Sequence, residues 1–420
     1  MPHFVFVAPP LQGHLRPMRA IALALRARGH RTSFVQIADA AGLLGAGDDR
    51  LIIGSASHPP GSLDAMVGRL GALPPLGAIP DLRGLRGTLR DLAALTRTLC
   101  TEAPEVLRAE NVDAIVADQT EAAGGLIARH LRLPYASIAN ALPINPDPDL
   151  PPPFTGWTFR PTPFGRWRNR GGYRVSDVVS RTLNREISRW SDRWGLPGLA
   201  SLESCLSPRA QLSQMVAGLD FPRAAMPAGF RYLGPFRDMA PEPAAEDGGP
   251  LAFVSFGTLQ GGRTGLLRAI AVACAGAGLR PLIAHGGRLD QTAQALFPPG
   301  TMLRDFVPQR AILPSAAVAI THGGLNTVLD SLAAGVPLVV VPLAFEQAAI
   351  ARRVAWAGCG IVVRPRGGAA MAAAMAQALA QLRADPAYAR RAAAFSREIA
   401  GSPGAPAAAS VIEGLLAPPI

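Results

Sequence analysis

Phe4-Val5-Phe6-Val7-Ala8 is an apolar run closed by Pro9-Pro10, and Pro17–Arg28 follows it with apolar residues at helical spacing up to Gly29. The run is too short for a helix and predicts a buried strand; Gly29 suits the left-handed position just past a helix. Thr32–Gln36 then reads as a second strand. A strand, a helix and a strand in that order form a βαβ unit, which demands a parallel sheet. Ala114–Ala117, Thr120–His130 and Tyr135–Ala139 repeat the pattern and extend the same sheet. The alternation starts afresh at Ala252–Phe256, with a helix near Leu266–Ala277 and a strand at Pro281–Ala284. Val318–Ile320, Leu325–Ala334 before Gly335, and Leu338–Val341 complete a second set. The reading is α/β: two doubly wound domains of similar size facing a cleft. Arg237–Pro250, rich in Pro, Gly and acids, is the expected linker, giving domains 1–237 and 251–420 around 238–250. Asp39–Asp91 is poorly periodic and reads as loops with short helices.

Composition agrees with two packed cores. The 420 residues are 49% hydrophobic and 17% charged, which excludes disorder across the chain. Net charge is +11, yet all 41 basic residues are Arg. Total replacement of Lys beside heavy Ala and Gly usage reads as coding bias, so no nucleic-acid partner is expected. The four cysteines are widely spaced without a CxxC, so neither a disulfide framework nor a zinc site is suggested, and a reducing cytoplasm fits. The N-terminus lacks the basic region of a signal peptide, and no apolar stretch is long enough to span a bilayer.

Two constellations carry chemistry. Thr321-His322-Gly323-Gly324-Leu325-Asn326-Thr327 is a turn of small residues between a strand and a helix, where free backbone N–H groups favour an anion such as a diphosphate. His322, Asn326 and Thr327 can add donors. Gln309 and Asp330 can bond vicinal hydroxyls, and Phe306 offers a flat face for a base. Singly, each residue better suits a capped helix or a core aromatic; their ordered spacing favours a site. At the other end, Gly13-His14 follows the first strand and Asp118 ends a later one, both at the sheet edge where α/β folds hold ligands. A carboxylate bonded to imidazole fixes its tautomer and makes it a general base, although a strand-end His also serves as a cap or core residue. His30, after Gly29, is of that second kind. Pro9–His14 contains no GxGxxG, which disfavours plain dinucleotide binding.

As a whole, Asp305-Phe306-Val307-Pro308-Gln309 through Glu346-Gln347 resembles the C-terminal signature of the UDP-sugar glycosyltransferases of GT-B fold. The resemblance implies two Rossmann-like domains, with Phe306 and Val307 at the base, Gln309 and Asp330 at the ribose, and His322, Gly323, Gly324, Asn326 and Thr327 at the diphosphate. It implies Gly257 and Thr258 near the phosphate, and Glu346 and Gln347 on the sugar hydroxyls. It also implies His14 as the base of an inverting reaction with Asp118 as its partner, UDP-glucose as co-substrate, and neither a cofactor nor a metal. Phe306, Gly323, Leu325 and Asp330 depart from the Trp, Cys, Trp and Glu usual in plant members.

Ala117–Gly125, Leu133–Ser137 and Ala141–Asn145, with His3-Phe4 and Ala8-Pro9-Pro10, resemble the bacterial carotenoid (zeaxanthin) glucosyltransferases. That likeness implies a hydroxylated carotenoid acceptor glucosylated at both ends, with Asn140, Leu142 and Ile144 at the acceptor. A macrolide or polyketide aglycone is the alternative acceptor, and a non-catalytic nucleotide-sugar-binding partner protein the alternative class. Phe159–Arg174 interleaves aromatics with Arg, and Val175–Trp194 follows as an amphipathic helix stopped by Gly195. These elements read as a solvated basic loop beside a core helix or as interfacial elements able to rest peripherally on the inner face of the membrane. The last helix is expected to pack back on the N-terminal domain.

Overall fold

The computed structural model describes residues 1–71, 82–224, 226–237 and 249–417. The first sheet has strands β1 (His3–Val7), β2 (Arg31–Ile37), β3 (Asp49–Ile53), β4 (Ala114–Asp118), β5 (Tyr135–Ala139), β6 (Gln211–Ser213) and β7 (Phe230–Tyr232). Their spatial order is β3-β2-β1-β4-β5-β6-β7, all parallel. The second has β8 (Leu251–Ser255), β9 (Arg280–Ala284), β10 (Met302–Arg304), β11 (Ala316–Thr321), β12 (Leu338–Val340) and β13 (Gly360–Val362). Its order, β10-β9-β8-β11-β12-β13, is again parallel throughout.

Helices cover both faces of each sheet, and the strand sequences follow from that. Every residue of β1, β4, β5 and β8 is buried, so these strands read as unbroken apolar runs rather than alternations. Val5, Val7, Ile115 and Ala117 face the helices Leu82–Ala109 and Arg181–Trp194. Phe4, Phe6, Ala114 and Val116 face Gln12–Arg26 and the C-terminal helix Gly404–Glu413. This last helix is bound to the first sheet's layer by His30 Nε2–Glu413 Oε1 at 2.6 Å and by Arg209 Nη1 donating to the Leu415 carbonyl at 3.0 Å. His30 thus has a structural task.

Two expectations need correction. The stretch Asp39–Asp91, read as loops with short helices, does hold the short helix Ser62–Gly71 but also strand β3 and the start of the long helix Leu82–Ala109. The amphipathic helix expected over Val175–Trp194 is two elements, Pro163–Val179 and Arg181–Trp194, the second closed by Gly195 at φ 64°. Thr162 caps the first by accepting from the Gly165 N–H at 3.1 Å, and Pro163 follows at the position where a missing N–H costs nothing. Leu183, Ile187 and Trp190 of the second are core residues. Of the expected linker, 238–248 lie outside the described residues.

Candidate functional site

Each sheet changes winding direction between its two central strands: β1 and β4 in the first, β8 and β11 in the second. At such a point the following loops diverge and leave a crevice at the carboxyl edge. His14 follows β1, Asp118 ends β4, Gly257 follows β8 and His322 follows β11. The two crevices meet in one cleft of about 400 Å³.

On the first side, His14 Nδ1 lies 2.7 Å from Asp118 Oδ2. Asp118 is fully buried, and its other oxygen accepts the Thr120 N–H at 2.8 Å and the Thr120 hydroxyl at 2.6 Å. Asn140 Nδ2 donates to Asp118 Oδ2 at 2.7 Å and to the His14 carbonyl at 3.3 Å. Burial works against charge on both members, yet the pair's attraction and hydrogen bonding outweigh it. The carboxyl stays below its ordinary range, and the imidazole rises above its own with help from Glu346. A carboxylate so held accepts a hydrogen bond from Nδ1–H, which fixes the tautomer and leaves Nε2 as the nitrogen that can accept a proton.

On the second side, the helix Leu325–Ala333 begins at Gly324 with no side-chain cap, so its first N–H groups are free for a ligand. His322 stands beside it in a slot kept open by glycines. A Cβ on Gly324 would come 2.8 Å from the ring, and one on Gly257, at φ +67°, 3.1 Å from it. Burial pushes the His322 pKa down to about 4, so at neutral pH the ring is an uncharged donor. Gly323, at φ +96°, backs onto Val340 and the Gln347 carbonyl. Phe306 is 70% exposed on the wall, and Val307 and Thr258 line the cleft nearby.

Several site residues are bonded differently from the expectation. Gln309 lines the cleft, but Asp330 stands behind it, buried, accepting from Gln309 Nε2 on one oxygen and from Arg237 Nε at 2.6 Å on the other. Thr327 Oγ1 reaches Gln309 Oε1 at 3.4 Å. Asn326 spans the cleft to Gly13 and Gln214. Gln347 Oε1 accepts the Leu343 and Ala344 N–H groups at 2.9 and 2.8 Å, shaping the loop in which Phe345 takes φ 52° and Glu346 comes to the wall. Glu346 is held above the ordinary carboxyl range chiefly by burial.

Of the implied acceptor residues, only Asn140 lines the cleft. Leu142 is buried in the core of the second sheet, and the Ile144 N–H donates to Gln119 Oε1 at 3.3 Å. Met66, Leu92 and Leu95 also line the cleft and give it an apolar side. Sequence reasoning missed that side although Leu92, Leu99, Ala103 and Leu107 keep helical spacing. Among the described residues no group of three His, Cys, Asp or Glu could hold a metal ion, and the four cysteines are buried free thiols.

Residues 282–415 match the model of the erythromycin biosynthesis protein CIII-like C-terminal domain. The chain is 39% identical over 372 residues to the zeaxanthin glucosyltransferase of Pantoea ananas, covering 86% of this chain and 84% of that protein. It is 37% identical over 422 residues to the zeaxanthin glucosyltransferase of Pseudescherichia vulneris, covering 99% and 98%. The crystal structure of the kitacinnamycin glycosyltransferase superposes with a TM-score of 0.73 at 22% identity, covering 99% of this chain and all of that one. The chain, two parallel-sheet domains meeting at one cleft and alike over nearly its whole length to enzymes that transfer sugars, belongs to the GT-B glycosyltransferase family and is a glycosyltransferase.

Proposed function

We propose that the chain moves glucose from UDP-glucose to a ring hydroxyl of zeaxanthin or a like carotenoid, with inversion at the sugar carbon, first at one end and then at the other. The observation that carries the reading is the 2.7 Å bond between His14 and Asp118 on a cleft whose opposite wall holds His322 and an uncapped helix. The carotenoid acceptor rests on the likeness to the two bacterial relatives.

His14 Nε2 takes the proton of the acceptor hydroxyl as its oxygen attacks C1 from the face opposite the diphosphate. The bond between C1 and the phosphate oxygen breaks, and the imidazolium is held by Asp118. A base so placed is worth about 10²–10⁴ in rate. The negative charge left on UDP falls on the first N–H groups of Leu325–Ala333 and on the neutral His322, which act as fixed donors. Phe306 stacks on uracil, Gln309 bonds the ribose, and Glu346 and Gln347 hold the sugar hydroxyls.

Met66, Leu92 and Leu95 give the acceptor an apolar wall. A cleft of about 400 Å³ takes one end of a carotenoid, the rest remaining in lipid. No helix among the described residues is long and apolar enough to cross a membrane. The reading therefore puts the enzyme at the cytoplasmic face as a peripheral protein.

The test is incubation of the purified protein with UDP-glucose and zeaxanthin in detergent, followed by mass. One and then two added hexoses, β-linked by NMR, are expected. Conversion of a macrolide or polyketide aglycone in place of zeaxanthin would replace the acceptor. Nucleotide binding without any transfer would leave a non-catalytic binder.

A further inference from the structure

The helix Pro163–Val179 is seated on one side, with Arg168, Tyr173, Ser176 and Val179 half-buried, and leaves its opposite side exposed. Its buried residues are Gly165, Asn169 and Gly172. A Cβ on Gly165 would fall 1.9 Å from the Arg160 carbonyl oxygen, and one on Gly172 2.8 Å from the Trp157 ring, so this side is packed to the backbone. Away from that side stand Phe164, Trp167, Val175 and Val178, exposed by 63, 69, 61 and 51%. At about 100° per residue, these four positions fall within about 80° of the helix surface. The Phe164 and Trp167 rings stack with centroids 5.7 Å apart. Scattered exposed apolar residues mean little, whereas four on one stripe mark an interaction surface.

Charge identifies what covers it. The same angular spacing puts Arg170 and Arg174 along one border of the stripe and Arg168 along the other. Arg160, Arg170 and Arg174 have no ion-pair partner among the described residues. From Arg160 to Arg193 the chain carries nine arginines against three carboxylates, and one of those, Glu186, is committed to Arg97 at 2.7 Å. A cavity of about 470 Å³ opens beside the stripe between Phe154, Trp157, Trp167 and Val175, with Arg170 and Arg174 on its wall. A neutral apolar partner would leave these cations uncompensated, and a nucleic acid would leave the apolar stripe in water. An anionic lipid leaflet satisfies both at once: acyl surface for the stripe and phosphates for the guanidinium groups. The surface is joined to the site, because its helix ends the segment that leaves β5 beside Asn140, and Arg352 anchors that segment by donating to the Gly156 carbonyl at 2.8 Å.

We propose that Pro163–Val179 is a membrane-docking helix that lays Phe164, Trp167, Val175 and Val178 into an anionic leaflet, with Arg160, Arg170 and Arg174 on lipid phosphates. The proposal extends the placement at a membrane made above, names the helix and the lipid class, and replaces Arg181–Trp194, whose apolar face is core. The full chain is sedimented with phosphatidylcholine vesicles, with and without phosphatidylglycerol. Binding to the mixed vesicles at low salt, and its loss at high salt, is the expected result. Phe164→Ser with Trp167→Ser lowers partitioning at least about tenfold, since two aromatic side chains leave the lipid. Arg170→Gln with Arg174→Gln lowers it about fivefold per residue on the anionic vesicles. Both pairs are on the surface, so melting temperature and transfer to detergent-dissolved acceptor stay at the parent value. Absence of binding by the parent chain, or equal binding by the variants, overturns the proposal. Failed transfer in detergent beside intact vesicle binding would count against the proposed reaction alone.

Discussion

Asn326 Nδ2 donates to the Gly13 carbonyl at 2.9 Å, so the helix offered to the diphosphate is bonded to the residue before His14. The other end of the same amide accepts from Gln214 Nε2 at 3.0 Å, and that nitrogen also reaches the Asn140 carbonyl at 2.6 Å. Asn140 in turn holds Asp118. One side chain thereby joins the second domain's loop to both members of the pair in the first.

Asn326→Ala should therefore cost more in turnover than in donor binding. Each lost hydrogen bond is worth about 0.5–1.5 kcal/mol, so a small drop in melting temperature is expected. Because the alignment of His14 with the donor relaxes, kcat should fall about tenfold, while UDP affinity by calorimetry changes less. A large loss of UDP affinity at unchanged kcat would make Asn326 a donor contact and nothing more.

The His14–Asp118 pair, as the proposed base, should set the acidic limb of the pH profile. Burial alone lowers the imidazole, but Asp118 and then Glu346 raise it above 6.5 overall. Only neutral imidazole can accept the proton, so kcat/KM should rise with pH through a midpoint above 6.5. Asp118→Asn removes the larger raising charge and leaves burial opposed by Glu346 alone, which moves the midpoint down from the parent's. It also frees the tautomer, lowering kcat by about 10²–10⁴. A pH series on both proteins measures the midpoints; an unmoved limb in Asp118→Asn would exclude His14 as the titrating base.

The sheets and their switch points were legible because β1, β4 and β8 are buried on both faces and read as continuous apolar runs. His14, Asp118 and His322 are legible as the polar residues closing or following such runs, whereas Gly257 is given only by the family resemblance. Two helices escaped for opposite reasons. Leu82–Ala109 begins among residues dense in Gly, Pro and Arg, which masks the spacing that Leu92 through Leu107 keep. Pro163–Val179 buries only two glycines and an asparagine, so no apolar stripe faces a core. Leu142 is implied at the acceptor only by the resemblance carried by Ala141–Asn145, and it packs with Met215 and Leu219. Pairs such as Asn326 with Gly13, or Arg237 with Asp330, join distant parts of the chain and have no local signature.

His322 should bind the donor in a pH-independent way. With its pKa near 4, the ring is neutral from pH 5.5 upward and contributes an N–H rather than a charge. UDP affinity should lack a histidine titration between about pH 5.5 and 7.5 where the His322 contribution is isolated by comparison with His322→Ala. A hydrogen bond to a charged phosphate is worth about 1.5–3 kcal/mol, so His322→Ala should weaken UDP at least about tenfold. Gly324→Ala should do likewise without touching the ring's chemistry, because its Cβ would sit 2.8 Å from the imidazole. Full UDP affinity in Gly324→Ala would show that the slot does not fix the ring.

In the proposed donor site Asp330 acts through Gln309. Both carboxylate oxygens are bonded within the protein, one to Gln309 and one to Arg237, and the residue is off the cleft wall. Its effect on ribose should be the orientation of the Gln309 amide. Gln309→Ala and Asp330→Ala should each weaken UDP, and the double variant should be no weaker than Gln309→Ala alone, because the second change removes support for a side chain already gone. Additive losses by calorimetry would mean that Asp330 turns to bond the ribose itself. Arg237→Gln separates stability from binding in the same network. It leaves a buried carboxylate short of its cation, and urea unfolding should register a loss of about 1–3 kcal/mol. UDP binding by Arg237→Gln should stay closer to the parent value than in either change at Gln309 or Asp330, since the bond from Gln309 to Asp330 survives.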